Sequence, residues 1–404
     1  MKRFIYTILM AAIVLWASAC VDFDDATQAT SVTVQLQAPE GLTLDLGDKT
    51  VTLQLGGQTT TVQTDSEGAA VFSNVVPDVY DLSVSWTITA DEYMAAGGGE
   101  AVATTVSASL NSQLIAGAEV LYMQLLASAQ RDIVIGKVYY AGSKDNNNRN
   151  YMAGKYIELY NQSDDTVDVS GLYIGLTESE STQAWTRSDL DQTYGSGAAI
   201  LLKQIYRIPT DDSYMVAPGG TVVICNSAID HTDGNDRESD LTGADFEVKD
   251  TQGNYQNNPA VPAMQMIYQI YAGTSVMNLV QSGPTGVVIF RTDQDVTAWT
   301  KVYKYGATSG LQYVVCPTSC ILDGMEALRR KTSGIDVTTK RLPDCIDAGY
   351  TSINAVSGWN AEVVYRRTRC MQSGHKVLVD TNNSSNDCQT STTIKPRQYD
   401  DCQE

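Results

Sequence analysis

The 404-residue sequence has very little histidine, two residues in all, and only five phenylalanines against 22 tyrosines. His231 and His375 are therefore the only imidazoles available as base to a Ser-His-Asp or Cys-His arrangement. Gly-x-Ser-x-Gly, His-Glu-x-x-His, a Walker loop and Cys-x-x-Cys are all missing, which removes the common hydrolase, zinc-protease, nucleotide and zinc-knuckle signatures. Basic charge is scarce as well: 27 Lys and Arg face 47 Asp and Glu, a formal net charge of −20, with no local basic patch. Phosphate backbones repel such a chain, so nucleic acid is excluded as a partner. After the N-terminal segment there is no further hydrophobic run long enough to span a membrane, which takes roughly 20 residues. Thr, Val, Ser, Gly and Tyr dominate what remains, and these are residues of strands, turns and half-exposed sheet surfaces. An apolar share of 43% is enough for packed cores, and the length points to more than one domain.

At the N-terminus, Lys2 and Arg3 precede an uncharged stretch from Phe4 to Trp16, followed by Ala17, Ser18, Ala19 and Cys20. This is the anatomy of a secretory signal peptide. Cysteine directly after the small triplet resembles the lipobox of bacterial lipoproteins, although Ala17 stands where leucine is usual. The resemblance implies a signal peptide over 1–19, lipidation of Cys20 and anchoring in the outer membrane. Val21-Asp22-Phe23-Asp24-Asp25 looks like the surface-export signal of Bacteroidota lipoproteins, which implies an acidic tether over 20–30 and display at the cell surface.

Charge then divides the chain. From Cys20 to Gln130 the one cationic side chain is Lys49, against fourteen Asp and Glu. The rest of the chain is far less acidic per residue, which sets a boundary near Ala127 to Arg131. Within 31–130, period-two alternation predicts strands: Val32, Val34 and Leu36 share a face, and Thr50 to Leu55, Thr59 to Val62, Ala70 to Phe72 and Tyr80 to Trp86 repeat the pattern. Turns at Gly56-Gly57, Asp65 to Gly68 and Pro77-Asp78 separate them. The run from Thr64 to Tyr80 is similar to carboxypeptidase-regulatory-like and Cna-B-type domains, where a glycine hairpin leads to a buried aromatic and a proline turn to a tyrosine-led strand. That implies a transthyretin/Cna-B-like β-sandwich of the kind used as a spacer.

Over 131–390 the pattern Lys155-Tyr-Ile-Glu-Leu-Tyr-Asn161, followed by Val167-Asp-Val-Ser-Gly171-Leu, resembles the lamin-tail domain, an Ig-like β-sandwich. Val216-Ala-Pro-Gly-Gly-Thr-Val-Val-Ile-Cys225, Asn278 to Phe290 and Ala327-Leu-Arg-Arg330 extend that resemblance. Asp230-His231, Asp240 to Glu247 and Asp380-Thr-Asn382-Asn383 look like an uncharacterised, DUF4876-like family of Bacteroidota surface lipoproteins. The expected fold is all-β: two β-sandwiches, with a C-terminal tail over 391–404. A sandwich hosts many functions, so the fold alone names none.

Seven cysteines follow Cys20. In an oxidising compartment Cys316, Cys320, Cys345, Cys370, Cys388 and Cys402 are candidates for disulfides, and Cys225, inside an apolar run, for the unpaired thiol. The loop Asp380 to Asp387 offers oxygens at every second position, making Asp380, Asn382 and Asp387 candidate calcium ligands; Asx-turn structure is the alternative. His231 in Asp230-His-Thr-Asp reads as an exposed polar turn or a metal loop. The long connection from Asp250 to Met277 is the expected ligand contact, through Tyr255, Met264, Met266, Tyr268 and Tyr271.

Together these readings predict a non-enzymatic surface lipoprotein without a cofactor, calcium aside. It binds a nutrient such as a glycan, peptide or protein, or serves a TonB-dependent transporter or another surface lipoprotein. An adhesin or structural surface protein is the first alternative, and a secreted metal-dependent hydrolase using His231 the second.

Overall fold

The computed structural model describes residues 29–56, 58–98, 103–129 and 131–402, so the leader, Cys20 and most of the tether lie outside the described residues. The fold is all-β and divides into two compact units. The first holds the strand Thr30–Gln37, Asp45–Val84 and Leu110–Gln124; the second holds Ala38–Leu44, Ser85–Ser109 and everything from Leu125 onward.

In the first unit Val32, Val34 and Leu36 are buried along one side of their strand, as alternation requires. Thr30–Gln37 pairs antiparallel with Ala69–Val75 and parallel with Glu119–Gln124. Thr50–Leu55 lies between Gln58–Gln63 and Asp78–Ile88. Asp65 closes the hairpin before Ala69–Val75 by accepting the N–H groups of Glu67 and Ala69, each at 2.9 Å. Gly68 in that hairpin has φ +81°, a left-handed conformation that any Cβ would strain, and Leu46 packs against it. Phe72 and Tyr80 are buried, and the Tyr80 hydroxyl donates to the Val76 carbonyl at 2.7 Å.

The second unit is built on two larger sheets. One runs Phe246–Glu247, Thr221–Cys225, Tyr156–Asn161, Ile133–Tyr139, Val363–Arg366, Cys388–Ser391. The other runs Lys301–Tyr303, Gln312–Pro317, Ala199–Arg207, Tyr173–Thr177, Thr285–Phe290, Ile321–Ala327, and Gln265–Gln269 also pairs with Ala199–Arg207. Ile135, Ile157 and Val223 of the first sheet and Ile174, Leu176, Val287 and Ile289 of the second form a shared core. A second core, with Ile200, Leu202, Val288, Phe290 and Val314, covers the opposite face of the second sheet. Burial on both faces explains the unbroken apolar runs Ala199 to Leu202 and Val287 to Phe290, where half-exposed strands would alternate.

The tyrosines correct an expectation. Composition suggested half-exposed sheet surface, yet Tyr140, Tyr156, Tyr206 and Tyr313 are among the largest fully buried side chains. Most reach a polar partner: the Tyr140 hydroxyl accepts from Ile353 N at 3.0 Å, and the Tyr206 hydroxyl donates to Ser275 O at 3.0 Å. An apolar ring with an anchored hydroxyl fills a core as phenylalanine would and also fixes a loop. The stretch after Ser391 packs closely too. Tyr399 packs, partly buried, against Tyr160 and the Lys137 ammonium, and Arg397 reaches Asp245 at 2.7 Å.

Candidate functional site

A cleft of about 940 Å³ opens among the described residues of the second unit. Three segments build its walls. Asn150–Tyr151 forms a short ladder with Ser143–Lys144, which holds Tyr151 at the rim. The loop from Asp250 to Asn258 brings Asn254, Tyr255 and Gln256. The segment from Tyr271 to Gln281 supplies the far wall.

The walls are loops, but amide side chains fix them. Asn226 donates to Met277 O at 3.2 Å and accepts from Met277 N at 2.8 Å. Gln204 treats the neighbouring peptides in the same way, donating to Val276 O at 2.9 Å and accepting from Asn278 N at 2.7 Å. The Asp250 carboxylate gathers the N–H groups of Gln252, Asn254 and Tyr255 and the Ser275 hydroxyl. Burial by itself would raise the pKa of Asp250, but these donors outweigh it and bring the pKa below the ordinary carboxylate value. Ser227 Oγ donates to Gln256 O at 2.6 Å and ties the loop to the sheet.

His231 is buried rather than exposed, the opposite of the turn residue that the sequence suggested. Its Nε2 lies 2.8 Å from the Ser227 carbonyl, which can only accept, so that nitrogen carries the hydrogen. Nδ1 then accepts from the Tyr151 hydroxyl at 2.6 Å. Both ring nitrogens are engaged, and the imidazole holds a rim tyrosine in place. His375 lies elsewhere, with Nε2 3.2 Å from Gln162 O and Nδ1 3.9 Å from Asp164.

One lysine lines the cleft and a second lies behind its wall. Lys155, 3% exposed, lines it and donates to Leu279 O at 2.7 Å, with its ammonium 5.8 Å from the centre of the Trp359 ring. Lys203 is fully buried behind it and reaches Ser179 Oγ at 2.7 Å and Asn278 Oδ1 at 3.4 Å, both on lining residues. Burial pushes both amines down to about 7.

Of the five side chains expected to touch ligand, Tyr255 and Tyr271 line the cleft. The strand Gln265–Gln269 separates the others. Met264 is buried in the shared core, Met266 is exposed, and Tyr268 packs between the second core and its neighbours with its hydroxyl on Gln312 O. Sequence reasoning missed Tyr151, Lys155, Lys203, Asn226 and Asn278. Lys203 did leave a signal: a lone cation inside Ala199-Ile-Leu-Leu-Lys-Gln-Ile205 marks a charge forced into a core.

The acidic loop considered for calcium has another occupant. Asp387 Oδ2 lies 2.9 Å and Asp380 Oδ1 3.2 Å from Arg366 Nη1, and Asp323 Oδ1 lies 2.7 Å from Nη2. Asn382 takes a left-handed φ of 51° and offers its carbonyl to Ala348 N. The guanidinium stands where a cation would balance these carboxylates. The seven described cysteines are separate thiols. Cys225 and Cys388 are buried, Cys316 and Cys320 face each other, and Cys345 is exposed.

No curated protein matches the chain. Residues 127–303 match the Lamin Tail Domain, and residues 217–394 match DUF4876, described as a protein of unknown function. A solved DUF4876 family protein from Bacteroides thetaiotaomicron VPI-5482 is 19% identical, with a TM-score of 0.56 over 89% of this chain and 94% of that one. A DUF3823 family protein from Parabacteroides merdae ATCC 43184 is 9% identical over 72% of this chain and 98% of its own, with a TM-score of 0.17. A candidate carbohydrate binding protein from Bacteroides uniformis ATCC 8492 gives 10% identity, the same 72% and 98%, and a TM-score of 0.17. The last two superpositions are too poor to carry an argument; the first shows the fold. The second unit thus carries a match to the lamin tail domain over 127–303 and one to DUF4876 over 217–394, and the chain shares the fold of a DUF4876 structure.

Proposed function

We propose that the protein is a non-enzymatic binding protein, lipid-anchored through Cys20 at the outer surface of the outer membrane, whose cleft takes a hydroxyl-rich ligand of the glycan class. A TonB-dependent transporter is the natural recipient of such a ligand. The observation that carries the reading is the lining: the rings of Tyr151, Tyr255 and Tyr271 stand among the amides of Asn226, Asn254 and Asn278. Tyrosine offers a flat apolar face to the C–H side of a sugar, and an amide both donates to and accepts from hydroxyls. The volume is that of a ligand site, and the amide clamps hold its walls ready. The imidazole that a hydrolase would use as base is committed to Tyr151 and Ser227.

Calorimetry with a panel of oligosaccharides tests this. At least one should bind the full mature protein, and Tyr255→Ala should weaken it about tenfold, or ~1.4 kcal/mol. A panel without a binder, or a binder indifferent to Tyr255, would remove the glycan reading. Labelled palmitate should enter the wild-type chain and not Cys20→Ser, and a transporter should co-purify from detergent extracts.

One observation favours adhesion as a second reading. On the outer face of the first unit's three-stranded sheet, Val71, Val120 and Tyr122 are each more than half exposed. Loss of cell attachment in a Val120→Lys, Tyr122→Lys variant that still binds the oligosaccharide would identify that role.

A further inference from the structure

The described buried cations are Lys137, Lys155, Lys203, Arg341 and Arg366, and they fall into two kinds. Lys137 pairs with Glu158 at 2.7 Å, Arg341 with Glu178 at 2.5 Å, and Arg366 with three aspartates. Among the described residues, Lys155 and Lys203 have no carboxylate in ion-pair range; Lys155 lines the cleft, and Lys203 lies behind the lining residues Ser179 and Asn278. Acids whose charge reaches these amines already have other partners. Glu238, beside Lys155, accepts from the Tyr139 and Ser143 hydroxyls at 2.7 and 2.5 Å. Glu178, beside Lys203, is held by Arg341. The lining adds a second observation. In a chain with 47 acidic residues, not one of the described residues lining this cleft is Asp or Glu.

Two desolvated amines under an acid-free wall of amides and tyrosines form a site short of one negative charge. An ammonium has three donors, and Lys155 uses one. A buried cation without a counter-charge is unfavourable, and a ligand anion placed there relieves it while gaining a charge-assisted hydrogen bond in a low-dielectric setting. We infer that the ligand is an acidic sugar, a hexuronate-containing oligosaccharide, whose carboxylate seats on Lys155 with Lys203 behind it while its hydroxyls meet Asn226, Asn278 and the tyrosines. This rests on the glycan reading and narrows it. A carboxylate suits the site better than a phosphate dianion, because a single lysine reaches the lining and no arginine fork is present.

The test uses the full mature protein and two matched probes, a galacturonate trisaccharide and its methyl ester, which keeps the shape and removes the charge. The free acid should bind at least tenfold more tightly than the ester, and Lys155→Met should bring the two together. Because Lys155→Met removes an unpaired buried charge, it should fold; Lys155→Arg, also assayed, keeps the charge and should retain a preference for the acid. Equal binding of acid and ester to the wild type would overturn the inference, as would an acid preference that survives in Lys155→Met. If neither uronate binds while a neutral oligosaccharide does so through Tyr255, the inference fails and the glycan reading stands. If no sugar binds, both fall.

Discussion

Arg366 and Lys155 are both buried cations of the same unit, and their surroundings are opposite. Arg366, on the strand Val363–Arg366, meets Asp323, Asp380 and Asp387, and its Nε donates to Ile135 O at 3.0 Å. Asp323 lies on the strand Ile321–Ala327 of the other sheet and also accepts Ile135 N at 2.6 Å, so the cluster joins the two sheets through charge. Burial alone would favour a neutral guanidinium; the aspartates outweigh it and push its pKa up. Lys155 has a carbonyl, a tryptophan face, another lysine and, outside ion-pair range, Glu238 for neighbours. One cation is matched inside the fold and holds it together. The other is left unmatched where the surface opens, and a charge left unmatched at a cleft marks a place prepared for something outside the chain.

The largest effect expected from this contrast is at Arg366. Arg366→Met would strand the two buried carboxylates of Asp323 and Asp387 and the partly exposed one of Asp380, and should destabilise the protein by about 3–5 kcal/mol, read from denaturant unfolding of wild type and variant. A loss under about 1 kcal/mol would mean that the cluster contributes little and that the contrast with Lys155 is empty.

Lys155→Met and Lys203→Met should move stability the other way, upward by ~2 kcal/mol each near neutral pH, because each removes an uncompensated amine from the interior. The pH dependence gives the sign. In the folded protein both amines sit near 7, against 10.5 for a free lysine. Between those values the unfolded chain holds more protons, so stability rises with pH through that window, and the penalty is fully present below about 7. Lys155 is faced by Glu238 and Lys203, and Lys203 by Glu178 and Glu180; these acids already contribute to the values near 7. The wild type minus the double variant should therefore lose its difference as pH climbs from 7 to 10. A difference flat in pH would mean that the amines are not desolvated as the structure has them.

How much of this was legible beforehand follows from which interactions are local. Alternation at Val32, Val34 and Leu36 and the apolar runs at Val287 to Phe290 read directly as strands, because pleat and burial repeat along the sequence. The lamin-tail pattern at Lys155 to Asn161 located the central strand of the first sheet, yet it gave no hint that its first lysine would floor a cleft. That depends on Asn226 and Leu279 arriving from 71 and 124 residues away, as their bonds to Lys155 show. The loop from Asp250 to Met277 was a fair place to look, but it hides a strand. Alternation along Gln265–Gln269 carries Met266 and Tyr268 away from the site that Tyr255 and Tyr271 line. The burial of His231 was not legible for a related reason: its polar neighbours suggest exposure, and the Tyr151 hydroxyl that meets its ring comes from the short strand Asn150–Tyr151, 80 residues earlier.

The smallest predicted effect separates the making of the wall from its use. Asp250 holds the Tyr255 loop through backbone donors, and Tyr255 itself packs only partly, half-buried on the rim. Tyr255→Ala should then leave unfolding within about 0.5 kcal/mol of wild type while weakening the oligosaccharide about tenfold. Asp250→Ala removes no ligand contact but frees the three N–H groups, and it should weaken the same ligand several-fold through a slower, less ordered association. Because the pKa of Asp250 is depressed in the fold, its hold persists at and above the ordinary carboxylate value near 3.8 and is lost only as pH falls through the lower folded value. If Asp250→Ala binds as well as wild type, the loop needs no internal clamp. The contrast between a fold that matches its own charges and a cleft that leaves one open would then rest on the two lysines alone.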